Sequence, residues 1–150
     1  MPTVRRSRTL PASPHDLWAI VGDARHLPRW WPRVTRVEGV DGAAFTQVLT
    51  TAKGVPVRAD YRVVESAAPS VRRWEQQVLN TPFERILASA SVEVRLEPVG
   101  EGATAVSLTL VQHMRGLGAL GGFMVRSAAR RQLDGALDGL EALVQPGHGG

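Results

Sequence analysis

The chain has 150 residues, 43% of them hydrophobic and 21% charged, the balance of one ordinary globular domain. Its zero cysteines exclude disulfides, thiolate metal sites and a cysteine nucleophile, and no run of about 18 apolar residues offers a membrane span. A net charge of +4 and a pI near 10.9 raise nucleic acid as a partner, but the basic residues are scattered among acids, as in Arg58-Ala59-Asp60-Tyr61-Arg62 and Glu93-Val94-Arg95-Leu96-Glu97. That is the pattern of a solvated sheet face, and no nucleic-acid partner is expected. Arg5, Arg6 and Arg8 precede no apolar stretch with a cleavage site, so no secretory signal is read and the expected location is the cytoplasm.

Thr3 to Leu10 reads as a first strand, with Val4 and Leu10 among exposed arginines. Ser13-Pro14-His15-Asp16 then starts a helix. Ser13 is placed to cap, Pro14 suits the first helical position, and Asp16 can reach back. Leu17, Ile20 and Val21 form its apolar side and Gly22 ends it. A second short helix is expected over residues 24–30, interrupted at Pro28. From Val34 the apolar residues alternate instead. This predicts strands over 34–40, 44–51, 55–64, 71–79, 89–97 and 103–113, with hairpin-length loops that make neighbours antiparallel. Asn80-Thr81-Pro82 breaks the fifth of the seven strands. Glycines from Gly116 to Gly122 read as a loop before a long helix, whose Leu133, Leu137, Leu140 and Val144 share one face. Residues 146–150 are expected to fray.

The alternation assigns the two faces of the sheet. Val57, Ala59, Tyr61 and Val63 share one side, as do Trp74, Gln76 and Val78, then Ala90, Val92, Val94 and Leu96, then Val106, Leu108, Leu110 and Gln112. One apolar and one wet face suit an antiparallel sheet covering a helix. The fold class is therefore α+β: a helix-grip arrangement in which a curved, seven-stranded antiparallel sheet wraps a long C-terminal helix, with two short helices after the first strand. One domain over residues 1–150 is expected.

This order resembles the START-like (SRPBCC) superfamily, and within it the polyketide cyclase/dehydrase and lipid transport branch. The resemblance is carried by Ala12-Ser13-Pro14-His15-Asp16-Leu17-Trp18, Leu27-Pro28-Arg29-Trp30-Trp31-Pro32 and Thr81-Pro82-Phe83. It extends through Leu96-Glu97-Pro98 and the Gly121-Gly122 entry to a helix ending Leu137-Asp138-Gly139-Leu140. It implies a cavity between sheet and helix that binds a small hydrophobic or aromatic, lipid- or polyketide-like molecule. The fold also hosts cyclases, so an aromatase/cyclase or dehydratase using the same cavity, without metal or cofactor, is the alternative.

Candidate ligand-binding residues are those the sequence turns inward or places near the helix entry: Trp31, Gln47, Tyr61, Trp74, Gln76, Phe83, Leu110, Gln112, Phe123 and Arg126. Sparse polar groups in an apolar enclosure are the usual make-up of a small-molecule pocket. Arg126 lies seven residues before Leu133 on the leucine face and can hold a ligand anion through forked hydrogen bonds. None of His15, His26, His113 and His148 belongs to a spaced metal set, and no nucleophile motif occurs. No catalytic residue is assigned, no metal or cofactor is expected, and binding is favoured over catalysis.

The long helix carries Arg126, Arg130 and Arg131 in its first half and Asp134, Asp138 and Glu141 in its second, against the macrodipole. Gly135 and Gly139 each cost roughly 1 kcal/mol relative to Ala, so packing has to hold it. Ala128, Gly135, Gly139 and Ala142 read as plain surface, with a seam to a second chain as the alternative. The protein is expected to be a monomer or weak homodimer with no integral membrane association.

Overall fold

The computed structural model describes residues 3–51, 53–116 and 119–145. Strand β1 (Thr3–Leu10) is followed by α1 (Pro14–Val21), a 3-10 turn (Ala24–His26) and α2 (Leu27–Trp30). Then come β2 (Val34–Asp41), β3 (Ala44–Thr50), β4 (Pro56–Ala67), β5 (Val71–Gln76), β6 (Leu87–Pro98), β7 (Thr104–Met114) and α3 (Ala119–Val144). The strands form one antiparallel sheet in the order β1-β7-β6-β5-β4-β3-β2. This is the expected α+β helix-grip architecture. The Ser13 hydroxyl accepts the Asp16 N–H at 3.1 Å, so α1 starts where the capping pattern placed it.

Differences from the sequence reading lie at ends and links. β5 stops at Gln76, before the expected Leu79, and a 3-10 turn over Pro82–Arg85 fills the connection to β6. There Thr81 bonds the Val78 carbonyl and receives the Phe83 N–H. The expected glycine loop is shorter, because α3 already includes Gly121 and Gly122. Of that loop, residues 117 and 118 lie outside the described residues, as does the 146–150 tail.

The inner face is apolar as the alternation predicts. Val92, Val94, Leu96, Val106, Leu108 and Leu110 of the sheet meet Leu133, Ala136, Leu137 and Leu140 of α3, all buried. Each fully buried aliphatic side chain contributes about 1.5–3 kcal/mol. A smaller cluster of Val78, Leu87 and Ala90, with Phe83 and Met114 against it, fills the end of the sheet near residues 82–85. The outer face carries ion pairs between arginines and acids, among them Arg36–Glu38 at 2.9 Å, Arg58–Glu38 at 3.0 Å and Arg95–Glu93 at 2.7 Å. Both guanidinium groups hold the Glu38 carboxyl below its ordinary value, the hydrogen bond from Arg58 most strongly.

Contacts of the long helix refine two readings. Arg6 is exposed, as expected, and Arg8 is half-buried. They share the parity of Val4 and Leu10 and reach α3, where Arg6 binds both Asp134 oxygens (2.8 and 3.2 Å) and Arg8 binds Asp138 (2.7 Å) and Glu141 (3.2 Å). The acids that oppose the macrodipole are therefore the counter-charges of β1. In the small-residue strip, Ala128 is exposed as expected, but Gly135 and Gly139 are not plain surface. A Cβ at Gly139 would lie 2.6 Å from the Trp30 carbonyl oxygen and 2.8 Å from its Cα, and one at Gly135 would lie 3.0 Å from Pro32 Cγ. Glycine here lets α3 touch the α2 backbone, and its low helix propensity is the cost of that approach.

Candidate functional site

Between α3 and the middle of the sheet lies a chamber of about 70 Å³. Trp31 borders it, as do Gln47 and Leu49 from β3, Tyr61 from β4, Trp74 and Gln76 from β5, Ala90 and Val92 from β6, Leu110 and Gln112 from β7, and Gln132 from α3. Strand pairing produces this gathering. Tyr61 lies opposite Gln76, Ala90 opposite Gln112, and Val92 between Trp74 and Leu110, so inward positions of five adjacent strands converge.

One side is an aromatic wall. Phe45 stacks on Tyr61 (centroids 5.5 Å apart, 9° between planes) and meets Trp74 edge-on at 6.3 Å. Trp74 meets Trp31 edge-on at 6.2 Å, and Trp31 meets Trp30 at 5.4 Å. The other surfaces carry the amides of Gln47, Gln76, Gln112 and Gln132. Gln47 is 2% exposed, and the buried Trp74 indole N–H has no hydrogen-bond partner among the described residues.

No Asp, Glu, Lys, Arg or His lines this chamber among the described residues. Burial pushes the Tyr61 phenol up to about 12, which keeps it a neutral donor at physiological pH. The lining can thus hold carbonyl or hydroxyl oxygens between flat aromatic faces. Its volume alone corresponds to about two waters, each occupying roughly 30 Å³ in the liquid. Anything larger extends into the grooves beside it.

Two such grooves share Gln132 with the chamber. One, about 410 Å³, is lined by Pro32, Arg33, Ala128, Arg131 and Gln132. The other, about 240 Å³, runs along Leu49, Thr50, Val57 and Phe83, again with Arg33. Of the residues singled out from sequence, Trp31, Gln47, Tyr61, Trp74, Gln76, Leu110 and Gln112 come together at the chamber, and Phe83 borders the smaller groove. Phe123 (56% exposed) and Arg126 do not join them. Burial on α3 begins at Ala129, and both residues lie upstream on exposed turns. Gln132 was missed, although it falls between the buried Ala129 and Ala136 at steps of three and four. His113 borders a further groove of about 230 Å³ with Glu75 and Ser89, which shares Gln76, Ala90 and Ser91 with the chamber. Among the described residues no cluster suited to a metal ion occurs, and no helix is long and apolar enough to cross a membrane.

Solved structures share this architecture. A START superfamily protein from Mycobacterium smegmatis superposes with a TM-score of 0.77 at 16% identity, covering 95% of this chain and 97% of its own. The Zhui aromatase/cyclase from Streptomyces gives 0.77 at 18% identity over 95% and 93%. The di-domain aromatase/cyclase BexL gives 0.76 at 21% over 94% of this chain and 45% of its own. At these identities the likeness establishes the fold alone. No curated protein matches the chain. The family described as polyketide cyclase/dehydrase and lipid transport matches residues 1–145, nearly the whole chain, with the aromatic wall and glutamine lining inside that span. The chain belongs to the polyketide cyclase/dehydrase and lipid transport family.

Proposed function

We propose that the protein binds a small aromatic or hydrophobic molecule carrying hydrogen-bonding oxygens, with its oxygenated end in the glutamine-lined chamber and its body in the adjoining grooves. The observation that carries this reading is the position of Gln132, which lines the chamber and both grooves at once. Together these spaces fall within the roughly 300–1,000 Å³ of ordinary ligand pockets, whereas the chamber alone does not. Aromatic faces supply apolar contact, and the neutral amides supply orientation. Cyclase or dehydratase chemistry in the same space is the alternative. Tyr61 is the one titratable group in the described chamber lining, and it stays protonated, which supports binding over proton-transfer catalysis.

Native mass spectrometry of the purified protein, paired with tryptophan-fluorescence titration using a naphthol, tests the reading. A retained small molecule, or saturable quenching of Trp31 and Trp74, is expected. Replacing Gln47 by Leu should weaken binding about three- to tenfold, the worth of one net hydrogen bond. Absence of both signals would overturn it.

A further inference from the structure

The larger groove is bordered by two arginines that form no ion pair among the described residues, Arg33 and Arg131. Neither groove sharing Gln132 has an Asp or Glu in its described lining. Arg33 is also held in an uncommon backbone state. Its φ is +67°, in the left-handed region that costs a non-glycine residue roughly 1–2 kcal/mol, and the Thr50 N–H locks its carbonyl at 3.0 Å. The strained residue sits between the buried Trp31 and Val34, so its side chain stands at the groove on a fixed stem. Arg131 approaches from α3, where its one hydrogen bond among the described residues goes to the Ser127 hydroxyl at 3.2 Å.

We infer that Arg33 and Arg131 form an anion-binding rim, which holds an acidic group on the groove-bound body of the ligand while an uncharged oxygenated end passes Gln132 into the chamber. This rests on the ligand-binding reading above and narrows the ligand class to amphiphilic acids. The division of labour follows from the two linings. A carboxylate or phosphate in the neutral chamber would lose its hydration without a counter-charge, whereas at the rim two guanidinium groups offer charge-assisted, forked hydrogen bonds. The acidic group therefore stays outside, and the ligand has one entry direction.

Titrations with naphthoate, its neutral counterpart naphthamide, naphthyl phosphate and inorganic phosphate alone test the rim. The wild type should bind naphthoate at least about tenfold more tightly than naphthamide, since hydrogen bonds to charged groups contribute about 1.5–3 kcal/mol. Naphthyl phosphate should share the advantage. The double variant Arg33→Asn, Arg131→Gln should lose it, with naphthoate affinity falling much further than naphthamide affinity. Asn tolerates the left-handed backbone at position 33, and both side chains are exposed, so circular dichroism and thermal midpoint should match the wild type. Equal wild-type affinity for acid and amide, or a preference that survives in the double variant, would overturn the rim and leave ligand binding standing. Inorganic phosphate binding as tightly as naphthyl phosphate would replace it with a free-anion site. If the wild type bound none of the naphthalene compounds, the binding reading itself would fall.

Discussion

The two halves of α3 are one continuous helix in two different environments. From Ala129 onward, Leu133, Ala136, Leu137 and Leu140 are buried, Gly135 and Gly139 lie against Trp30–Pro32, and Asp134, Asp138 and Glu141 hold the arginines of β1. Upstream, Phe123 is 56% and Met124 63% exposed, and Arg126 is open to solvent. Residue type does not explain the contrast, since the exposed half has large apolar side chains and the anchored half has glycines and acids. What differs is the partner surface. A helix rich in unfavourable local choices is held where a sheet and a second helix receive it.

Substitutions can break this contrast. Leu133→Ala should destabilise the fold by about 2–5 kcal/mol in a urea titration, whereas Met124→Ala should stay within about 0.5 kcal/mol. Comparable losses at the two sites would mean that the upstream half is also packed in solution. Gly139→Ala improves helix propensity by about 1 kcal/mol, yet should be net destabilising by roughly 1–3 kcal/mol because its Cβ meets Trp30 backbone. A stabilised Gly139→Ala protein would show that α2 does not touch α3 there.

Tyr61 sharpens the comparison by reporting on the space the anchored half covers. It is the only tyrosine, so ultraviolet difference absorbance reads it directly. Ionisation is expected at about 12 in the folded protein and near 10 when unfolded. The sign follows from proton uptake. Stability linked to Tyr61 is fully present below pH 10 and is lost as pH rises toward 12, because the unfolded chain releases its proton first. A native midpoint near 10 would mean the chamber is open to water. The smallest effect belongs to the partly exposed β1–α3 pairs. Arg8→Gln should cost at most about 1 kcal/mol, and less in high salt. A loss that salt leaves unchanged would point to packing rather than charge.

The period-two alternation made the sheet legible from sequence, because one parity had to be buried wherever the other faced water. That also identified Gln47, Tyr61, Gln76 and Gln112 as inward polar residues. α3 was harder to read. Its leucines declare the core side so strongly that Gln132, set between the buried Ala129 and Ala136, passed unnoticed. Arg6 and Arg8 were equally visible at even spacing between Val4 and Leu10, but arginine on an edge strand suggests solvent until the opposing acids are known. Gly135 and Gly139 expressed a tertiary contact as a local weakness, and only the α2 backbone beside them distinguishes the two. Arg33 gave no sequence signal, since nothing in the residue itself announces a positive φ.

The pairs joining β1 to α3 span 128, 130 and 133 residues of chain. The first strand made during synthesis therefore waits for the last helix before Arg6 and Arg8 find their counter-charges. Until α3 emerges, only α1 and α2 cover the apolar inner face of the sheet, and contacts this distant in sequence are slow to form. The fold is then completed only after α3 has been made, and the sheet without it is the species open to aggregation.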